Sequence, residues 1–363
     1  MSYSKKIIIA TGGTGGHVFP AYGLAKFLSS KKIDIQVITD ERGFKFLKDY
    51  KDIKFKIINS TTLFNKNPFS VTFSLFKILF AFFNSLIFLF NSKPKIVFGM
   101  GGYASFPVCL ASKILGIPFI TYENNLHVGK ANRYLLPYAN KMLVSYSSLS
   151  GFNSRYRPKI AQVGNILREN IINFEQKSYD PNKEKLNILI LGGSQAAKSF
   201  AEKLPEVFVK CLNEKISIKI FQQCLPSQKT ILENKYNSLK IEHEIFTFNP
   251  NLNTYFSNAD IAITRSGSSI LAELLNCRIP IISIPLPSSA EDHQNKNAKY
   301  FEKKGYSFLI EENKISEKLF PLIKSIHKDK YLLTHMIERQ KTYSDKDVFK
   351  KIYNEIKEMI TYE

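Results

Sequence analysis

The chain alternates short, mostly apolar runs with longer stretches of helical periodicity. In the first half the runs are Ile7–Ala10, Ile33–Ile38, Ile53–Ile58, Ile96–Phe98, Phe119–Thr121 and Met142–Val144. In the second they are Leu186–Leu191, Ile216–Phe221, Ile261–Thr264, Ile281–Ile284 and Ser307–Ile310. Nearly continuous apolar runs predict strands covered on both faces, and helical stretches between them predict parallel βαβ units. Residues 170–185 (NIINFEQKSYDPNKEK) turn polar, as a connection between domains does. After it the pattern restarts: apolar strand, glycine-rich turn, helix. The expected organisation is α/β, with domains at 1–167 and 168–342 and a terminal helix at 343–363. In that helix Val348, Ile352, Ile356, Met359 and Ile360 form one apolar stripe, and Ser344 with Asp347 reads as a capping box.

Residues 69–90 (FSVTFSLFKILFAFFNSLIFLF) break the pattern by their length. They are long enough to span a bilayer. Ser70, Ser74, Lys77, Asn84 and Ser85 recur at helical spacing, giving a narrow polar stripe on an otherwise Phe/Leu/Ile surface. Three placements stay open: a helix in the core, an interfacial membrane helix, or a span. Lys66, Lys77, Lys93 and Lys95 lie in or beside it, and lysines rimming apolar rings suit an anionic leaflet.

Composition fits a folded chain large enough for two domains: 363 residues, 44% hydrophobic and 23% charged. Lys plus Arg outnumber Asp plus Glu by 51 to 31, a net charge of +20. That balance favours anionic partners. The cations are scattered, without the Lys/Arg runs of nucleic-acid binders, so no nucleic-acid partner is expected. Cys109, Cys211, Cys224 and Cys277 have no metal-like spacing and read as buried thiols in a reducing compartment.

The candidate chemistry sits where strands end. Thr11-Gly12-Gly13-Thr14-Gly15-Gly16-His17 follows the first strand, where backbone N–H groups and a helix N-terminus suit an anion. Val18 stands where a dinucleotide fingerprint needs glycine, and no Lys-Ser/Thr follows as in a P-loop. Gly99-Met100-Gly101-Gly102-Tyr103-Ala104 formally satisfies GxGxxA, the only support for an oxidoreductase. Gly192-Gly193-Ser194-Gln195 and Thr264-Arg265-Ser266-Gly267-Ser268-Ser269 repeat the arrangement in the second half. There Glu273 is placed to accept from a ribose diol. Asp292-His293-Gln294-Asn295-Lys296-Asn297 gathers amides that read sugar hydroxyls. His17, at a helix N-terminus, is expected to stay neutral and able to take a proton. Glu123, in Tyr122-Glu123-Asn124-Asn125, is the rival base. The one Asp-x-Asp, Asp345-Lys346-Asp347, reads as helix capping, so no fixed metal or other cofactor is expected. Helix ends, amides and a cation such as Arg168 or Arg265 would then stabilise a leaving pyrophosphate.

Together and in order, TGGTGGHVFPA, GMGGYAS, YENN, GNILR, GGSQ, TRSGSS and DHQNKNA resemble the MurG family, the UDP-GlcNAc:lipid I N-acetylglucosaminyltransferases of peptidoglycan synthesis. The resemblance spans nearly the whole chain. It implies the GT-B fold, two Rossmann-like domains with parallel sheets facing across a cleft. It also implies that the amino-terminal domain takes the lipid acceptor and the carboxy-terminal domain UDP-GlcNAc. It carries nucleotide-sugar contacts to Thr14, Gly15, Gly16, Asn125, Arg168, Ser194, Glu273 and Gln294, with Ser268 and Ser269 at the pyrophosphate. It turns the loops of His17 and of Gly101, Gly102 and Tyr103 toward the acceptor pyrophosphate. The implied protein is peripheral on the cytoplasmic face of the bacterial inner membrane, beside other cell-wall synthesis proteins. Departures are Ala196 for a usual Gly, Tyr122 and Asn124 in the usual His-Glu-Gln-Asn, and Ser268-Ser269-Ile270 for a more apolar run. The expected reaction is inverting transfer of GlcNAc to the 4-hydroxyl of MurNAc in lipid I, giving lipid II. The alternatives are another GT-B glycolipid glycosyltransferase, a UDP-GlcNAc 2-epimerase, or a nucleotide- or nucleic-acid-binding protein without catalysis.

Overall fold

The computed structural model describes residues 6–13, 15–60, 68–175, 179–249 and 251–361; at 68–73, 193–197 and 361 it describes the backbone alone. The chain divides into two compact units, Met1–Arg168 with Asp345–Glu363, and Glu169–Ser344.

The first unit holds a seven-stranded parallel sheet. Its strands are β1 (Lys6–Ala10), β2 (Asp34–Thr39), β3 (Lys54–Ile57), β4 (Ile96–Gly99), β5 (Phe119–Glu123), β6 (Lys141–Val144) and β7 (Ile160–Gln162), in the order β3-β2-β1-β4-β5-β6-β7. The intervening helices include α1 (Gly15–Ser30), α2 (Glu41–Leu47), α3 (Pro68–Ser92), α4 (Gly102–Ile114) and α5 (Lys130–Leu135). Alternate residues of β1 serve two cores, as strand geometry requires. Ile7 and Ile9 pack with α1 and with Val348, Ile352 and Ile356 of the terminal helix Val348–Thr361, all fully buried. Ile8 and Ala10 face α3 and α4. The terminal helix is held further by stacking of Phe349 on Phe27 (5.1 Å between ring centres) and by Lys141 pairing with Glu355 and Glu358.

The second unit carries a six-stranded parallel sheet: β8 (Leu186–Leu191), β9 (Ile218–Gln223), β10 (Glu242–Phe246), β11 (Ile261–Thr264), β12 (Ile281–Ser283) and β13 (Phe308–Leu309). Their order is β10-β9-β8-β11-β12-β13. In each sheet the strand order reverses once, between β1 and β4 and between β8 and β11. Open parallel sheets bind ligands beyond the strand carboxyl ends at such a switch point.

Four expectations change. Strands β7 and β10 are absent from the sequence reading. Both are sheet edges: β7 has no buried residue, and in β10 only Ile245 and Phe246 are buried, so neither forms an apolar run of strand length. The Ser344/Asp347 capping box is replaced: the helix starts at Val348, and Asp345 is buried, accepting from the backbone N and Nδ2 of Asn165 (3.0 and 3.2 Å). The third concerns α3. The helix is long and apolar enough to cross a membrane (mean hydropathy 1.7 over Ser74–Ser92). Its protein-facing edge is nevertheless the small-residue one: Ser74, Ala81, Ser85 and Leu89 are buried. Ser85 can lie there because its hydroxyl donates to Ala81 O (2.6 Å), leaving no unpaired donor in the core. The supposed polar stripe splits, with Ser74 and Ser85 inward and Lys77 outward. The side chain of Ser70 lies outside the described ones. Phe76, Phe80, Phe83, Ile87 and Phe90 point outward, 58–69% exposed. The core-helix placement is therefore wrong for the aromatic face. The fourth, at Arg265, belongs to the site.

Candidate functional site

The glycine turn after β1 is built around a buried carboxylate. Asp40, at the carboxyl end of β2, accepts from Gly13 N (2.9 Å) and caps α2 through Gly43 N (2.8 Å). Arg42 donates to its other oxygen through Nε and a terminal nitrogen. Thr11 Oγ1 donates to His17 O (3.0 Å), fixing the first turn of α1. Gly15, Gly16 and His17 open that helix; Thr14 lies outside the described residues.

The turn after β4, next to β1 in the sheet, carries Gly101 at φ 81° and Gly102 at φ 73°, a region only glycine enters readily. The half-buried imidazole of His17 lies against this turn. A Cβ placed on Gly102 would stand 3.8 Å from His17 Cδ2 and Nε2, and one on Gly101 3.8 Å from Cε1. The two glycine loops therefore meet at the β1/β4 switch point with His17 between them. Tyr103 follows in α4, its carbonyl accepting from Ser60 Oγ (3.1 Å).

Glu123 ends β5 and is 4% exposed. One carboxylate oxygen accepts from Asn125 N (3.0 Å) and Nδ2 (3.1 Å). The other accepts from Gly129 N and Asn132 Nδ2, both at 3.0 Å. Four protein donors thus occupy the group and tie down the loop that leads into α5. Asn125 is engaged in the same knot. Asn132 also donates to Tyr122 O (2.9 Å), so the knot braces the strand end beside Gly101. Sequence reading missed Asn132 and Asp40; the only available signal was Asp40 directly before a helix, an N-cap pattern.

Arg168 closes the segment after β7. Tyr122 OH donates to Gly164 O (3.1 Å) and accepts from Ile166 N (3.0 Å), so the hydroxyl of Ser145 (2.9 Å) donates to it. Burial pushes the Tyr122 phenol well above its ordinary value, keeping that O–H a donor. Asp345 holds Asn165 from the other side. Arg168 is thereby presented, half-buried, from a segment anchored at two points.

In the second unit the loops after β8 and β11 are joined: Thr264 Oγ1 donates to Leu191 O (3.1 Å). Gly192 caps the helix Gly193–Asn213, which contains Ser194, whose side chain is outside those described. Gly267 caps the helix Ser268–Asn276. Ser268 is 4% and Glu273 9% exposed, with Ser269 half-buried. Gln294 is brought to the same loop, its Oε1 accepting from Ser266 N (3.2 Å) and Leu286 N (3.0 Å). Asn297 Nδ2 donates to Ser266 O (3.1 Å). Two of the predicted sugar-reading amides therefore hold the backbone of one residue, Ser266, through its N–H and its carbonyl. The hydroxyl of Ser266 is fully buried with no hydrogen-bond partner among the described residues.

Arg265 is not a ligand cation. Its guanidinium, 5% exposed, donates to Ile284 O and Pro285 O (3.1 Å each) and to Ser199 Oγ (2.9 Å), and pairs with Glu312. It also lies over the Phe200 ring. A buried cation tied down through both terminal nitrogens braces the fold, although its Nε has no hydrogen-bond partner among the described residues, and removing it would leave Glu312 without this ion pair. Among the described residues no three His, Cys, Asp or Glu side chains gather as metal ligands do. All four cysteines are buried, and burial pushes the Cys109 and Cys211 thiols to about 12, the range of inert structural thiols.

Comparison with known proteins identifies the family and the fold. Residues 7–144 match the glycosyltransferase family 28 N-terminal domain, and 187–352 the glycosyltransferase family 28 C-terminal domain. A UDP-N-acetylglucosamine–N-acetylmuramyl-(pentapeptide) pyrophosphoryl-undecaprenol N-acetylglucosamine transferase of Pelagibacter ubique is 33% identical over 91% of this chain and 92% of its own length. The crystal structure of Acinetobacter baumannii MurG superposes with a TM-score of 0.78 at 25% identity, covering 98% of this chain and 99% of that one. A UDP-N-acetylglucosamine 2-epimerase shares the fold alone, with a TM-score of 0.70 at 15% identity over 100% of this chain and 98% of that one.

Proposed function

The chain belongs to the MurG family within glycosyltransferase family 28, and from that premise we propose that it transfers N-acetylglucosamine from UDP-GlcNAc to the 4-hydroxyl of MurNAc in lipid I, forming lipid II. The observation that carries the reading is the placement of a glycine or serine turn on each side of the switch point in both sheets. Each such turn leads into a helix N-terminus, where backbone N–H groups lacking intrahelical acceptors favour a phosphate.

The second unit takes the donor. The turn Thr264–Ser269 meets the pyrophosphate through Ser268 and Ser269, with the Ser266 hydroxyl behind them. Ser194, by the family resemblance, is a further donor contact, and Glu273 accepts from the ribose. Gln294 spends its amide oxygen on the turn, which leaves its amide nitrogen to face the sugar. By the family resemblance Thr14, Gly15, Gly16, Asn125 and Arg168 are further donor contacts, and Gly101, Gly102 and Tyr103 receive the acceptor diphosphate. Arg168 supplies the cation for the leaving group, and Arg265 is committed to Glu312. No step runs through a metal.

His17 is the base. Its imidazole lies on the glycine turn that takes the acceptor, whereas Glu123 has both oxygens filled. Glu123 acts as a positioning residue for the Gly101 turn. His17 removes the proton of the 4-hydroxyl as that oxygen attacks the anomeric carbon, the C1–O bond breaks, and UDP leaves with the bonding pair.

The membrane reading rests on α3. Five large apolar side chains face outward, with Lys77 and Lys93 exposed beside them. Burial of such a side chain is worth roughly 1.5–3 kcal/mol, so a row of them favours the interface of an anionic leaflet. The chain thus works peripherally on the cytoplasmic face of the inner membrane, where a lipid-linked acceptor is presented. The deciding experiment incubates the protein with UDP-GlcNAc, with and without lipid I, and follows UDP and disaccharide product. Acceptor-dependent release of UDP with formation of lipid II supports the proposal. UDP release without acceptor, or none at all, would point to an epimerase or to a binding protein.

A further inference from the structure

Between Glu123 and Glu169 the sequence holds no Asp or Glu and seven Lys or Arg: Lys130, Arg133, Lys141, Arg155, Arg157, Lys159 and Arg168. Lys141 pairs with Glu355 and Glu358, Lys159 donates to the carbonyls of Pro137 and Ala139, Arg157 donates to Ser147 O (3.2 Å), and Arg155 donates to the Tyr156 hydroxyl. Arg133 lines a recess of about 410 Å³ together with His127, Gly151, Phe152, Asn153 and Tyr156. The guanidinium of Arg155 lies 4.6 Å from the Tyr156 ring centre, and that of Arg157 5.9 Å from the Phe152 ring centre. None of the lining residues is acidic.

The recess is a constructed one. A parallel bridge joins His127 to Ser150, with Val128 N donating to Ser150 O and Ser150 N to Leu126 O (2.9 Å each). Gly151 follows at φ 84°, and a Cβ there would lie 2.5 Å from the His127 ring. Arg133 donates to His127 Nε2 (3.1 Å) and to Val128 O (3.0 Å). A guanidinium only donates, so Nε2 accepts and the ring proton sits on Nδ1, pointing to Ser150 Oγ (3.0 Å). The histidine therefore orients the arginine.

Its position connects the recess to the reaction. The loops after β5 and β6 form it, one and two strands along the same sheet edge from the Gly101–Gly102 turn. Strand spacing of ~4.8 Å puts it roughly 5–10 Å from the Gly101–Gly102 turn, proposed above for the acceptor diphosphate. An extended peptide of five residues reaches at most ~17 Å. We propose that this cationic, aromatic-walled recess receives a carboxylate-bearing stretch of the acceptor's peptide, with Arg133 and Arg155 as its anion contacts. The proposal rests on the reading that the acceptor is a peptide-bearing, lipid-linked MurNAc, the acceptor named for the 33%-identical relative.

The test compares two lipid-linked acceptors: one with the full pentapeptide, the other with a single residue whose carboxyl is amidated. The wild-type chain should show a KM about tenfold lower for the first, the scale of one charge-assisted contact. Arg133→Gln and the surface variant Arg155→Gln should each erase most of that preference. They should leave kcat, the KM for UDP-GlcNAc and turnover of the short acceptor unchanged, and the last of these also reports that the variant is folded. Equal KM values in the wild type, or variants that weaken both acceptors alike, overturn the proposal. Transfer to neither acceptor by the wild type would instead overturn the parent reading, and this one with it.

Discussion

Two helices of the first unit carry comparable apolar stripes and use them oppositely. In the terminal helix Val348, Ile352 and Ile356 are fully buried against β1 and α1. In α3 the buried edge is Ser74, Ala81, Ser85 and Leu89, Phe82 and Phe88 pack partly against the core, and Phe76, Phe80, Phe83 and Phe90 face out. The hydrophobic effect is blind to which apolar surface covers a ring; protein interior and lipid interface both serve. What separates the helices is the edge of α3, where Ser74, Ala81 and Ser85 let it pack closely with Leu89, Phe82, Leu86 and Phe88 turned toward the core, so that Phe76, Phe80, Phe83, Ile87 and Phe90 stay outside. A stripe of serines and alanine beside a stripe of rings therefore signals a helix with two partners.

The largest effect that would break this comparison is on α3. Replacing Phe76, Phe80 and Phe83 together by Ser should weaken binding to anionic vesicles by about a thousandfold, three such side chains at the low end of their transfer energy. The thermal unfolding midpoint should not fall. A drop in that midpoint with intact vesicle binding would mean the rings face protein. The same contrast recurs among polar groups. His17→Ala should cut turnover by about 10²–10⁴, the usual weight of a general base, with little change in stability. Next comes Ile352→Ala, which should cost about 2–5 kcal/mol of unfolding free energy for a buried isoleucine and leave vesicle affinity unchanged. Denaturant titration and vesicle sedimentation on one preparation check both halves. Glu123→Gln should lose about 1–3 kcal/mol, because an amide cannot accept from four donors, while keeping more activity than His17→Ala. Equal losses of activity would undo the assignment of roles.

The smallest effect is a pH dependence in the second unit. Hydrogen bonds from Lys185 and Lys219 lower Glu242 to about 2. A carboxyl depressed in the folded state stabilises above its unfolded value near 4.3, and that gain is lost as pH falls toward 2. The group is 47% exposed, so solvent screening keeps the effect slight. Thermal unfolding of wild type and Glu242→Gln should differ near pH 6 and converge near pH 2. A constant difference would remove the pairing as its cause.

The fold was legible where burial is two-sided. β1, β8 and β11 are mostly apolar because helices cover both faces (Asn187 alone interrupts β8), while β7 and β10 hide their strand character at sheet edges. The loops of the site were legible because a turn that brings backbone near an anion needs glycine or serine directly after a strand. The roles of individual charges were not. Arg265 and Glu123 stand in loops of the right composition, yet their partners (Glu312, Asn132) lie elsewhere in the chain, and only folding reveals that those charges are already spent. Asp345 hid in the same way, in a segment that looks like a helix cap and instead anchors Asn165.

The central claim, that the polar turns grip a sugar nucleotide while α3 brings in a lipid-borne acceptor, meets its most direct test in one paired assay. GlcNAc transfer is measured to lipid I in anionic vesicles and to a short-chain, water-soluble analogue of the same acceptor, for wild type and for the Phe76/Phe80/Phe83→Ser variant. The account predicts wild-type transfer to both, and a variant that keeps the soluble reaction but loses most of the vesicle reaction. Equal rates for variant and wild type on vesicles, or no product from either acceptor with the wild type, would contradict it.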